Sequence, residues 1–138
     1  MPQSVFTKIK NKELPGVILY DDGRCFVILS NMPHAPGHLL VIPVEEMDSW
    51  QDLDTKSFLH LMEVAQYFGR ATKEIYSPPK VSLVAIGFEV PHVHIHIFSL
   101  FGVSGADHTK ASAANMEELS KEALKFEKYL MKTKGKVL

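Results

Sequence analysis

The stretch His92-Val93-His94-Ile95-His96-Ile97-Phe98 alternates histidine with aliphatic residues. Such alternation is the mark of a strand, whose side chains point to opposite faces with a period of two. His92, His94 and His96 then form a row on one face, and Val93, Ile95 and Ile97 form an apolar stripe on the other. Successive imidazoles in the row stand about 6.5–7 Å apart, close enough to share one phosphate-sized ligand. Three titratable rings in one row disfavour each other's charged form, so a neutral ring prevails near neutral pH. A neutral imidazole is what a nucleophile or a metal site needs. The aliphatic stripe calls for a helix to bury it, and the histidine face must then open on a cleft.

The rest of the chain supplies those parts. Val5-Phe6-Thr7-Lys8-Ile9 reads as a helical turn or an edge strand, broken by Glu13-Leu14-Pro15-Gly16. Val17-Ile18-Leu19-Tyr20 and Cys25-Phe26-Val27-Ile28-Leu29 flank Asp22-Gly23, a hairpin signal of the type I′ kind. A loop dense in Pro, Gly and Asn, residues 30–37, leads to a third strand, His38-Leu39-Leu40-Val41-Ile42, ended by Pro43. Over 54–76 the period becomes helical, with Phe58, Leu61, Met62, Ala65, Phe68, Thr72 and Ile75 on one stripe and Pro78-Pro79 beyond. Val81-Ser82-Leu83-Val84-Ala85 is a fourth strand, and the histidine strand is the fifth. Residues 99–114 read as a loop. A last helix over about 115–134 is announced by Asn115 with Glu118 three residues on, a capping-box spacing. These elements predict an α+β fold: a five-stranded, mostly antiparallel sheet with one long helix and a C-terminal helix. The expected organisation is a single domain over 1–138, with the C-terminal helix as an appendage.

At 138 residues and a formal net charge of -1, the chain has length for a real core and no global field favouring nucleic acid or an anionic membrane. The basic run Lys132-Thr133-Lys134-Gly135-Lys136 reads as a solvated end. Cys25 is the sole cysteine, so neither an intramolecular disulfide nor a CxxC zinc ribbon can form. The opening Met1-Pro2-Gln3-Ser4 has no secretory pattern, and no apolar run approaches a membrane span. The expected location is cytoplasmic, with no nucleic-acid or membrane partner.

His-Val-His-Ile-His-Ile-Phe resembles the histidine-triad (HIT) family signature, H-φ-H-φ-H-φ-φ with φ hydrophobic. Pro36-Gly37-His38-Leu39-Leu40-Val41-Ile42-Pro43 is similar to the family's P-G-H-x-L-V-I-P segment. The opening, from Val5 through Lys12-Glu13-Leu14-Pro15 to Asp22, Arg24 and Cys25, resembles the N-terminal hairpin of the Hint-like branch, so the likeness spans residues 4–101. The resemblance implies a five-stranded antiparallel sheet, a homodimer whose sheets join, and a hydrolase or transferase acting on the α-phosphate of a purine nucleotide. By position, His94 would be the nucleophile that becomes a phosphohistidine. The His92 main-chain carbonyl would hold the other ring nitrogen of His94. His96 would contact the phosphoryl oxygens and assist the leaving group, and His38 would support the cluster. Val5, Phe6 and Ile9 would sandwich the base, and Ser30, with Asn31 beside it, would meet the ribose hydroxyls. The scheme uses covalent catalysis and donor groups on phosphate oxygens, and it asks for no metal or other cofactor.

The sequence departs from the family pattern in two places. Gly87-Phe88-Glu89-Val90-Pro91 replaces a longer Gly-rich segment, which sets Glu89 where a small hydroxyl residue touches phosphate. Val44-Glu45-Glu46 stands where a basic residue follows the V-I-P. Two other readings follow from these facts. A non-catalytic nucleotide-binding module would fit the changed loop. A metalloenzyme would use the histidine row as ligands, although a strand sets only two neighbouring rings comfortably on one ion.

Overall fold

The computed structural model describes residues 3–107 and 111–136. The extreme termini and part of the loop expected over 99–114 lie outside the described residues. Helix α1 (Val5–Lys10) takes the helical alternative of the opening segment, with the Ser4 side chain accepting from the Thr7 N–H as its cap. Strands β1 (Ile18–Asp21) and β2 (Cys25–Leu29) form the hairpin. Its turn is not type I′. Gly23 has a φ of +83° and Asp22 is not in that region, while Asp21 pairs with Phe26. Carboxylates hold the turn: Asp21 accepts from the Gly23 N–H, and Asp22 accepts from the N–H groups of Arg24 and Cys25.

Strands β3 (Leu39–Pro43), β4 (Lys80–Val84) and β5 (Ile95–Leu100) complete one sheet in the order β1-β2-β3-β5-β4, every neighbouring pair antiparallel. The fold is α+β, as expected. The histidine strand differs at its start. It pairs from Ile95 rather than His92, because the backbone ahead bonds elsewhere: His92 N–H to the Val90 carbonyl and Val93 N–H to the Met47 carbonyl.

Helix α2 (Thr55–Tyr76) is capped by Asp54 and ends at Ser77, whose left-handed φ of 51° precedes Pro78. Its buried face is wider than the expected stripe and adds His60, Val64, Tyr67 and Ala71 to Leu61, Ala65, Phe68 and Thr72. Helix α3 (Met116–Lys132) begins in a capping box closed reciprocally by Asn115 and Glu118. Leu119, Ala123 and Phe126 of α3 join α2 in covering one face of the sheet, over Cys25, Val27, Leu39, Val41, Ile95 and Ile97. On the other face Phe6, Phe26, Ile28, Leu40 and Ile42 form a smaller apolar cluster. His96 stands opposite Leu40 on β5 and β3, so the histidine row opens on this second face. Among the described residues no helix is long and apolar enough to cross a membrane.

Candidate active site

The alternation of the sequence survives the shortened strand. Val93, Ile95 and Ile97 enter the main core, and the rings of His94 and His96 stand edge to face at 4.9 Å. His38, just before β3, joins them: its Nε2 lies 3.0 Å from His96 Nδ1, and both residues are buried. The rings of His38, His94 and His96 therefore meet in one cluster, and His92 joins it through its main-chain carbonyl.

The partners of these rings assign their protons. A backbone N–H can only donate and a carbonyl can only accept. The His34 N–H donates to His38 Nδ1 at 3.0 Å, so the proton of neutral His38 sits on Nε2 and is given to His96 Nδ1. The proton of neutral His96 is then on Nε2. His94 Nδ1 donates to the His92 carbonyl at 2.7 Å, which leaves the lone pair on His94 Nε2. His92 Nε2 donates to the Pro43 carbonyl at 2.7 Å, and its Nδ1 accepts from the Ser4 hydroxyl at 2.5 Å. Burial holds the His92 ring below the ordinary imidazole range, against the opposing pull of the Pro43 carbonyl and the Glu46 carboxylate. One neutral ring thus presents a lone pair and its neighbour presents a proton.

Several participants escaped the sequence reading. Ser4 caps α1 and bonds His92, which joins the N-terminal helix to the histidine row. Glu46 lies 3.8 Å from His92 Nδ1 and also accepts from the Thr7 hydroxyl at 3.0 Å and from the Ser4 N–H. Those bonds to Ser4 hold its carboxyl below the usual range. His34 stacks on Phe98 at 4.6 Å while its backbone orients His38. Capping geometry could have suggested Ser4, since Ser-x-x-Thr precedes an apolar turn. Glu46 stands out locally only as part of the acidic departure after Pro43, and nothing local marks His34.

The residues expected at the nucleotide end distribute unevenly. Phe6 is buried and meets the His94 ring edge-on at 4.8 Å, Ile9 packs on the second-face cluster, and Val5 is exposed beside them. Ser30 is buried with its hydroxyl accepting from the Met32 N–H, and it lines a cavity with His34, His38 and Glu118. Asn31 is exposed, and its carbonyl accepts from the Ala114 N–H. Glu89 is exposed in the 85–91 segment. A cavity of about 510 Å³ beside His94 is lined by Trp50, Gln51, Gly87, Phe88 and Pro91 but not by Glu89.

A five-stranded antiparallel sheet thus carries the histidine row on one face and a long helix on the other. A family model described as the HIT domain matches residues 11–103, and the chain belongs to that family. A protein of Borreliella burgdorferi called an uncharacterized HIT-like protein is 31% identical over 124 residues, covering 85% of this chain and 89% of that one. Among solved structures, a Bartonella henselae HIT-like protein described as involved in cell-cycle regulation superposes with a TM-score of 0.78 at 25% identity, covering 91% and 95% of the two chains. A hypothetical histidine triad nucleotide-binding protein of Sulfolobus tokodaii gives 0.79 at 23% identity, covering 94% and 93%. Membership supports a nucleotide-binding or hydrolase-type function.

Proposed function

We propose that the chain is a nucleotide hydrolase or transferase that attacks an α-phosphate through His94, with a nucleoside phosphoramidate or a dinucleoside polyphosphate as substrate. The geometry that carries this reading is the bonding of the two rings, which assigns them complementary tautomers. His94 Nε2 bears a lone pair because its Nδ1 proton is tied to the His92 carbonyl, and the adjacent His96 Nε2 bears a proton. In the first step a bond forms from His94 Nε2 to phosphorus and the bond to the leaving group breaks. An amine leaving group takes a proton from solvent, whereas a nucleotide leaves as its anion. His96 Nε2–H stabilises charge on a phosphoryl oxygen, and the His92 carbonyl stabilises the positive charge on the phosphorylated His94 ring. In the second step water attacks phosphorus, the N–P bond breaks, a proton passes to solvent and the nucleoside monophosphate leaves.

The base would sit against Phe6 and Ile9 on the second face, next to the nucleophile, and Ser30 and Asn31 would serve the ribose only after the 30–37 loop shifts. Two copies would join through β4, whose outer edge is unpaired in the sheet order.

The test is turnover of adenosine phosphoramidate and of a dinucleoside polyphosphate in the presence of EDTA. The wild type should hydrolyse at least one of them. His94→Ala should lower turnover by at least about a thousandfold while AMP binding survives, because the lost group is a covalent participant. Normal turnover in that variant would overturn the assignment.

The non-catalytic reading keeps support from one feature, the changed 85–91 segment with Glu89, next to His94. Glu89 is exposed and off the cavity, so on the catalytic reading Glu89→Ser changes turnover by no more than about threefold. An inactive wild type that binds AMP and gains turnover in Glu89→Ser would favour the binding module.

A further inference from the structure

The face of the sheet covered by α2 holds a second constellation, remote from the histidine row. Asp22 in the β1–β2 turn, Cys25 at the start of β2 and His60 in α2 bring one ligand atom each to within 4.8 Å of one another. His60 Nε2 lies 2.6 Å and Cys25 Sγ 3.9 Å from the same oxygen, Asp22 Oδ2. Carboxylate, thiol and imidazole are three different donor types, and together they favour a borderline-soft cation over magnesium or calcium.

The carboxylate is aimed by its other oxygen. Asp22 Oδ1 accepts from the N–H groups of Arg24 and Cys25 at 2.8 and 2.9 Å, so Oδ2 is held toward His60 and Cys25. The Tyr20 hydroxyl donates to Oδ2 at 2.9 Å from the adjoining strand. Such outer bonds orient first ligands in metal sites. A hydrogen bond between Asp22 and His60 would account for two of the three groups as a plain tie between hairpin and helix. The Cys25 thiol is directed at the same oxygen from 3.9 Å, so long a bond for an S–H donor that it adds little to that tie. Cys25 and His60 are buried, while the Asp22 side chain keeps about a fifth of its surface, 21%, open to solvent. That opening gives a cation a way in and leaves room for water.

We propose that Asp22, Cys25 and His60 form a binding site for a divalent cation of zinc's chemical class, with water as the fourth ligand. Zinc bonds of about 2.0–2.3 Å to these donors set neighbouring ligand atoms about 3.3–3.8 Å apart. His60 therefore moves off Asp22 by less than an ångström or so and the thiol closes slightly. On binding, the Cys25 S–H bond is replaced by a sulfur–metal bond and one proton goes to the buffer. The neutral His60 coordinates through Nε2 and carries its hydrogen on Nδ1. No electron is transferred. The ion fastens the β1–β2 hairpin to α2 on the face away from His94, so it stabilises the scaffold and takes no part in phosphoryl transfer.

Tag-free protein, stripped with chelator and exchanged into clean buffer, would be titrated with Co²⁺. One equivalent should produce a near-ultraviolet thiolate-to-cobalt absorption with visible bands of a four-coordinate ion, and Zn²⁺ should abolish both. Cys25→Ser and His60→Gln should each lose the thiolate absorption or weaken binding at least about tenfold, and His94→Ala should retain both. Zn²⁺ should raise the melting temperature of the wild type and not that of Cys25→Ser, with Mg²⁺ inert. Circular dichroism of the variants separates lost binding from lost folding, and His60→Gln keeps the test alive if Cys25→Ser fails to fold. A titration without the thiolate absorption, an absorption that survives Cys25→Ser, or binding lost in His94→Ala would overturn the site.

Discussion

A buried imidazole resists protonation, and His92 has no exposed surface at all. Its folded pKa lies below the ordinary value of 6.5. As pH falls through about 6.5, the unfolded chain takes up a proton at this residue and the folded chain does not. The unfolded state then binds more protons, so stability falls with pH over that window. Asp22 acts further down the scale. Burial would raise its carboxyl, but the N–H groups of Cys25 and Arg24, with Tyr20 and His60, outweigh burial and hold it at about 2. Its contribution is complete above the ordinary carboxylate value and is lost as pH falls toward about 2. The expected result is a melting temperature that drops in two separate stages on acidification. Ring resonances of His92 should stay at their neutral positions where a free histidine is half protonated. A ring that titrates with the ordinary midpoint would contradict this account of its burial.

At the scale of elements, the loop before β3 is the part most exposed to damage by substitution. Gly37 has a φ of +79°, and a Cβ there would come within 2.3 Å of the Tyr76 hydroxyl and 2.5 Å of its ring. Tyr76 cannot swing away freely, since it donates to Glu122 of α3 at 2.6 Å. Gly37→Ala is expected to cost about 1–3 kcal/mol and to loosen His38, the next residue, so turnover should fall along with the melting temperature. An unchanged melting temperature would rule this out. The elements themselves were legible wherever a local pattern suffices: the 3.6 period of α2, the Asn115–Glu118 box of α3, and the alternation that puts His94 and His96 on one face. Local pattern failed where distant backbone decides. His92 and His94 stand outside the paired part of β5 because Val93 bonds Met47. The hairpin turn departs from type I′ because Asp22 spends its carboxylate on the backbone ahead of it. Ser4 reaches His92 across 88 residues and His60 reaches Asp22 across 38, separations at which no periodicity carries information.

For the molecule as a whole, the two faces of the sheet divide the labour. One is sealed by α2 and α3, and the other carries the histidine row under α1. Among the described residues the sheet has two edge strands, β1 and β4, and β4 is flanked by exposed apolar side chains. Leu83 at 55%, Ile86 at 47% and Phe88 at 93% exposure stand on or beside β4, a terminal strand. An unpaired edge with apolar side chains is a template for another strand, and on the proposed assembly a second copy of this chain would supply one of matching length. Light scattering after size exclusion should give twice the chain mass, and Leu83→Lys together with Phe88→Glu should give a monomer with its circular dichroism intact. A wild type of single chain mass at micromolar concentration would exclude this assembly.

The bond sequence from the His34 amide through His38 to His96 has a direction, because it begins at a group that can only give. Any side chain standing at position 38 must take a hydrogen on one atom and give one on another. Asparagine and glutamine carry both capacities in one amide. Aspartate as a carboxylate can only take, lysine as an ammonium can only give, and leucine does neither. Among side chains that fit this buried position, tolerance at position 38 is therefore ordered by two-sidedness.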